Sequence, residues 1–221
     1  MKNKSAFTMI ELVFVIVILG IIASIAMDRM DRDLRQEASE TILSHIRLAQ
    51  QLALSDDKHQ VNNDVNWYTR YWQMEYLPCD NGDFFYRVGS HSSSGWGIDD
   101  KEEATTDPTD GKYIWSDSTC SPPPSNDTSE NVFLTKKFGI TNIDNTGGCS
   151  AVTDIGFDYL GRPYNGIAMP PSADFSNIMT QDCNLTFTLS TDQDNDGNSD
   201  TFTITIEAET GHSFIVGQDN S

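Results

Sequence analysis

Phe7-Thr8-Met9-Ile10-Glu11-Leu12-Val13-Phe14-Val15-Ile16-Val17-Ile18-Leu19-Gly20-Ile21-Ile22-Ala23-Ser24-Ile25-Ala26-Met27 is an almost unbroken apolar run of 21 residues, interrupted by a single carboxylate. Coiled as a helix it is roughly 31 Å long, the thickness of a bilayer's hydrocarbon core. Lys2 and Lys4 precede it, which predicts that this end stays in the cytoplasm and the remainder faces outward. A cleaved secretory signal is the plain alternative, but its core is normally about 7–15 residues and the helical pattern here continues past the run. Glu11 stands out. An acid inside a spanning helix costs about 2.5–3.5 kcal/mol on insertion scales, so it calls for a dedicated partner.

Beyond Met27 the chain turns polar, and apolar residues recur at helical spacing: Met27, Met30, Leu34, Ala38, Ile42, Ile46, Ala49 and Ala53, with Leu43 and Leu52 beside the stripe. The first proline is Pro78, and Gly20 is the single glycine in the first 56 residues. One helix over 7–56 follows, apolar all round in its 7–27 part and amphipathic over 28–56.

Ser5-Ala6-Phe7-Thr8-Met9-Ile10-Glu11-Leu12 resembles the processing site of type IV prepilins and type II secretion pseudopilins. The resemblance implies a leader of residues 1–6, cut between Ala6 and Phe7 by a prepilin peptidase that also methylates the new N-terminus. It also implies that Glu11, fifth after the cut, serves assembly with other subunits. The family places glycine before the cut, where this chain has the small residue Ala6. Gly20 matches a glycine often found in the family's helix.

Residues 57–221 read as a β-rich outer domain. Strand candidates are 65–76, 83–88, 131–138, 153–160, 185–189, 201–206 and 213–216, with turn signals at Gly161-Arg162-Pro163 and Thr210-Gly211. One long helix with antiparallel strands against its outer half is an α+β fold. Set beside the N-terminal resemblance, this is a pilin-like layout. The order of Gly156-Phe157-Asp158-Tyr159-Leu160-Gly161-Arg162-Pro163, paired strands and a Thr-Gly turn looks like the minor H or FimT type.

Cys79, Cys120, Cys149 and Cys183 form an even set without a C-x-x-C pair, which favours two disulfides over zinc or redox chemistry. Of three connectivities, Cys79–Cys120 with Cys149–Cys183 closes the shorter loops. In Asp192-Gln193-Asp194-Asn195-Asp196-Gly197-Asn198-Ser199-Asp200, acids alternate and a glycine follows, as at the start of a D-x-D-x-D-G calcium loop. Asp192, Asp194, Asp196 and Asp200, with the Asn198 carbonyl, are the expected ligands of a structural calcium. Thr203 stands where an EF-hand has its closing Glu, and a solvated acidic turn is the competing reading.

With 33 acidic and 14 basic residues the formal net charge is −19, which repels nucleic-acid backbones and argues against such a partner. His45, His59, His91 and His212 are scattered, with no spacing that suggests a catalytic relay, and His45 reads as a surface or packing residue. The expected function is therefore a non-enzymatic filament subunit of a type II secretion pseudopilus or type IV pilus. It would be held in the bacterial inner membrane with its outer domain in the periplasm. A membrane-tethered, calcium-stabilised extracytoplasmic binding module is the alternative, with the loops at 90–130 as its contact surface.

Overall fold

The structure, a computed structural model, describes residues 9–57, 70–91, 97–120, 127–166, 175–192 and 197–218, with backbone alone for residues 24–33. Helix α1 (Met9–Ser55) runs for 47 residues, about 70 Å at 1.5 Å per residue. Ala38, Ile42, Leu43, Ile46, Ala49 and Ala53 are buried along it, and Leu34 and Leu52 are half-buried. Steps of three and four put these residues on one face, and the alanines let the helix lie close to the strands. The side chains of Met27 and Met30, expected at the start of the stripe, lie outside the described ones.

Two four-stranded antiparallel sheets form the head. The first has the order β2-β1-β4-β5, built from β1 (Trp72–Pro78), β2 (Phe84–Ser90), β4 (Asp154–Phe157) and β5 (Pro163–Asn165). The second has the order β3-β6-β7-β8, built from β3 (Ile140–Gly147), β6 (Cys183–Leu189), β7 (Thr201–Ile206) and β8 (Ser213–Ile215). In β6 burial alternates residue by residue, so Cys183, Leu185, Phe187 and Leu189 all face inward. Phe187 lies opposite Phe202 of β7, with ring centroids 4.9 Å apart. Met74 is in register with Val88 on one side and Ile155 on the other, and this row belongs to the core that takes in the α1 stripe. Helix α1 touches β1, β2 and β4 of the first sheet and β7 and β8 of the second, so one helix closes a core shared by both. This is an α+β, pilin-like layout.

Several strand expectations shift. The candidate at 65–76 begins as a strand only at Trp72, and residues 65–69 lie outside the described ones. Residues 131–138 are not a strand. Ser129 accepts the N–H of Asn131 and starts a 3-10 turn (Glu130–Val132), and the short helix α2 (Leu134–Phe138) follows. Leu134 and Phe138 are both buried, and four-residue spacing suits a helix face as well as a strand edge. Gly139, at φ +71°, ends this helix in the left-handed region that disfavours other residues. Strands β3 and β5 carry no expectation from sequence.

Two disulfides brace the head. Cys79, in the β1–β2 turn, pairs with Cys120, and Cys149, after β3, pairs with Cys183 at the start of β6.

Candidate assembly site

Before Ala38 the helix leaves the head's core. Residues 9–23 are exposed, among them twelve large apolar side chains from Met9 (89 % exposed) to Ile22. Covering a side chain of this kind is worth about 1.5–3 kcal/mol, so together they represent on the order of 20 kcal/mol. That exceeds the whole stability of an ordinary domain and calls for a covering by lipid or by other helices. Glu11 lies among the exposed residues of this part of α1. Ala6 and Phe7 lie outside the described residues. Among the described residues no helix is long and apolar enough to cross a membrane.

The head grips the other half of α1 through polar side chains as well as the apolar stripe. The Gln50 amide donates to the carbonyl of Gly161 (3.0 Å) in the β4–β5 turn and to that of Thr210 (2.9 Å) in the β7–β8 turn. One side chain thus joins both sheets to the helix. Arg47 donates twice to the Ser213 carbonyl, at 2.7 and 3.2 Å.

His45 is neither exposed nor merely packed. It is 1 % exposed, with Nδ1 2.6 Å from the Tyr86 hydroxyl and Nε2 3.4 Å from Asp107 Oδ2. Burial lowers its pKa against the opposing pull of Asp107. Neutral His45 accepts the Tyr86 hydroxyl at Nδ1, which places its own proton on Nε2, facing Asp107. Burial works to raise the pKa of Asp107, but hydrogen bonds from Thr109 and Asn131, with His45 alongside, win and hold it well below the carboxylate range. Ser129 Oγ also donates to Asp107 Oδ2, at 2.9 Å. The carboxylate, not the imidazole, receives the Ser129 hydroxyl, so His45, Asp107 and Ser129 do not form a nucleophile relay. They tie α1, β2 and the 105–131 connection together. One signal for this was present: His45 lies three after Ile42 and four before Ala49, on the buried stripe. Nothing in the sequence pointed to Asp107.

The expected calcium loop joins β6 to β7. Asp194 and Asp196 lie outside the described residues. Asp192 Oδ2 accepts the N–H of Gly197 at 3.0 Å, folding the loop back on itself. Asp200 Oδ2 accepts the Thr191 hydroxyl at 3.0 Å, and the Asp200 N–H bonds to the Thr191 carbonyl at 2.7 Å. Asn198 is exposed. Among the described residues no group of three acidic, His or Cys side chains is arranged to hold a metal.

The family model described as the prokaryotic N-terminal methylation motif matches residues 1–27. The chain therefore carries the type IV pilin and pseudopilin signature, that of a structural subunit processed by prepilin peptidase. No curated protein and no solved structure matches it.

Proposed function

We propose that the chain is a filament subunit of a type II secretion pseudopilus or a type IV pilus, as a minor component of the H or FimT type. The observation that carries the reading is the matched motif at residues 1–27, whose described part from Met9 lies in one helix with apolar side chains that the head leaves uncovered. Residues 7–27 span the inner membrane, with the head in the periplasm. The peptidase cuts between Ala6 and Phe7 and methylates the new terminus. On assembly, helices of neighbouring copies replace lipid around residues 9–23.

The cut leaves a cationic amine on Phe7 in an apolar setting, where a lone charge is costly and a paired one much less so. Glu11 of an adjacent copy neutralises it and sets the axial stagger between subunits. Glu11→Ala is expected to leave cutting intact and to lower recovery in sheared filaments between about tenfold and about a hundredfold, the equivalent of a lost charged hydrogen bond of about 1.5–3 kcal/mol. Recovery at the wild-type level would overturn the pairing.

The β6–β7 loop is proposed to hold a structural calcium through Asp192, Asp194, Asp196, the Asn198 carbonyl and Asp200. The donors are all hard oxygens, as calcium prefers, and the Asp192 to Gly197 hydrogen bond supports a turn of the required kind. The ion would relieve repulsion among four carboxylates and fix the β6–β7 hairpin.

A further inference from the structure

The face of the first sheet turned away from α1 carries buried charge. Glu75 of β1 lies in register with Arg87 of β2 on one side and Asp154 of β4 on the other. Glu75 and Asp154 are both buried. Residues 97–104 lie across this face as a strap held on it at two points, and Lys101 within the strap also pairs with Asp127 at 2.7 Å. At the first, Glu75 Oε1 accepts the N–H of Ile98 at 2.9 Å and the Gln73 amide at 3.3 Å, while Arg87 Nη1 donates to the Ile98 carbonyl at 2.6 Å. At the second, Glu103 Oε2 accepts the N–H of Asp99 at 3.0 Å, with His91 Nδ1 3.1 Å away, and Ala104 bridges to Gly89. Gly97 permits the first. It sits at φ +74°, and a Cβ there would lie 2.5 Å from Glu75 Oε1.

Arg87 is poorly placed to neutralise Glu75. Its Nη1 is 3.8 Å from Glu75 Oε2, and its hydrogen bonds go to the carbonyls of Ile98 and Ser116. Ionised Glu75 also faces Asp154 from β4 and Asp99 from the strap. We propose that residues 97–104 are a proton-latched strap, closed over the first sheet while Glu75 holds a proton and released as Glu75 ionises and draws in water. Neutral Glu75 still accepts the Ile98 N–H and carries no charge to hydrate. Release uncovers Gln73, Glu75 and Arg87 and changes the head's surface. The Glu103 and His91 contact holds the far end and acts as a hinge.

Burial, aided by Asp154 and Asp99 and opposed by Arg87 and the Ile98 N–H, pushes Glu75 up to about 7. A group raised in the closed form stabilises that form fully below its ordinary pKa, here 4.5, and loses the effect as pH rises through about 7. The strap therefore loosens with alkalinity. Between about pH 6 and about pH 8.5 its opening equilibrium should rise about tenfold.

Hydrogen exchange on the full chain in detergent micelles reads this directly at the Ile98 amide, corrected for the intrinsic pH dependence of exchange. The expected result is about a tenfold loss of protection at Ile98 over that interval, with Leu185 in the second sheet unchanged. Glu75→Gln keeps an acceptor for Ile98 and removes the proton, so its protection should not vary with pH. Constant protection in the wild-type protein, an equal loss at Leu185, or the same loss in Glu75→Gln overturns the latch. The wild-type comparison of Ile98 with Leu185 decides the matter even if Glu75→Gln does not fold.

Discussion

Gln50 is the side chain that joins α1 to a turn of each sheet, through one amide. Truncation leaves the part-buried Gly161 carbonyl and the exposed Thr210 carbonyl short of a donor, and Gln50→Ala is expected to cost about 1–2 kcal/mol. Denaturant unfolding of the full chain in micelles checks this, and a loss below about 0.5 kcal/mol would show that water replaces the amide freely. Side chains of this kind are hard to read from sequence. Gln50 is one polar residue on an amphipathic helix, and its partners, the carbonyls of Gly161 and Thr210, are backbone groups more than a hundred residues away. His45 was half legible, since its place on the stripe marks it as inward-facing. Its partners Tyr86 and Asp107 come together only through the first sheet and the connection after it. Glu75 sits in a strand whose two faces are both buried, so alternation gives no hint that an acid is enclosed.

Among the elements, helix α1 was the most legible, because its stripe depends on one period within one continuous segment. β6 and β7 were nearly as clear, with strict alternation of Thr against apolar residues. β3 was hidden for a physical reason. It is an edge strand with Thr141, Asn142, Asp144 and Thr146 facing solvent, so it lacks the apolar rhythm that marks a half-buried strand. Residues 131–138 misled because their apolar spacing fits either period, and the Ser129 cap and Gly139 stop decide for a turn and a helix. The β6–β7 connection makes a prediction at this scale. Calorimetric titration with calcium should give one saturable site and a higher melting temperature for the wild-type protein, both abolished in Asp194→Ala. Identical isotherms for the two proteins would mean that the loop is only a solvated acidic turn.

At the scale of the whole molecule, two halves of one helix meet opposite demands. From Ala38 onward α1 is the spine of a two-sheet head braced by two disulfides. In residues 9–23 it presents apolar side chains that the head does not cover. The head holds α1 through the stripe, Arg47, Gln50 and His45, so both sheets are joined to the helix that carries the apolar end. That division was visible in the first 56 residues, since a change from all-round to one-sided apolarity needs no knowledge of the strands. The pairing of sheets around the spine was not, because the chain visits the second sheet at β3, returns to the first for β4 and β5, and then completes the second. Mass spectrometry of the N-terminus of the protein from its native membrane is the sharpest check on processing at Ala6 and Phe7. The expected result is a mature chain that begins at a methylated Phe7. An intact Met1, or a cut near Ala26, would contradict it.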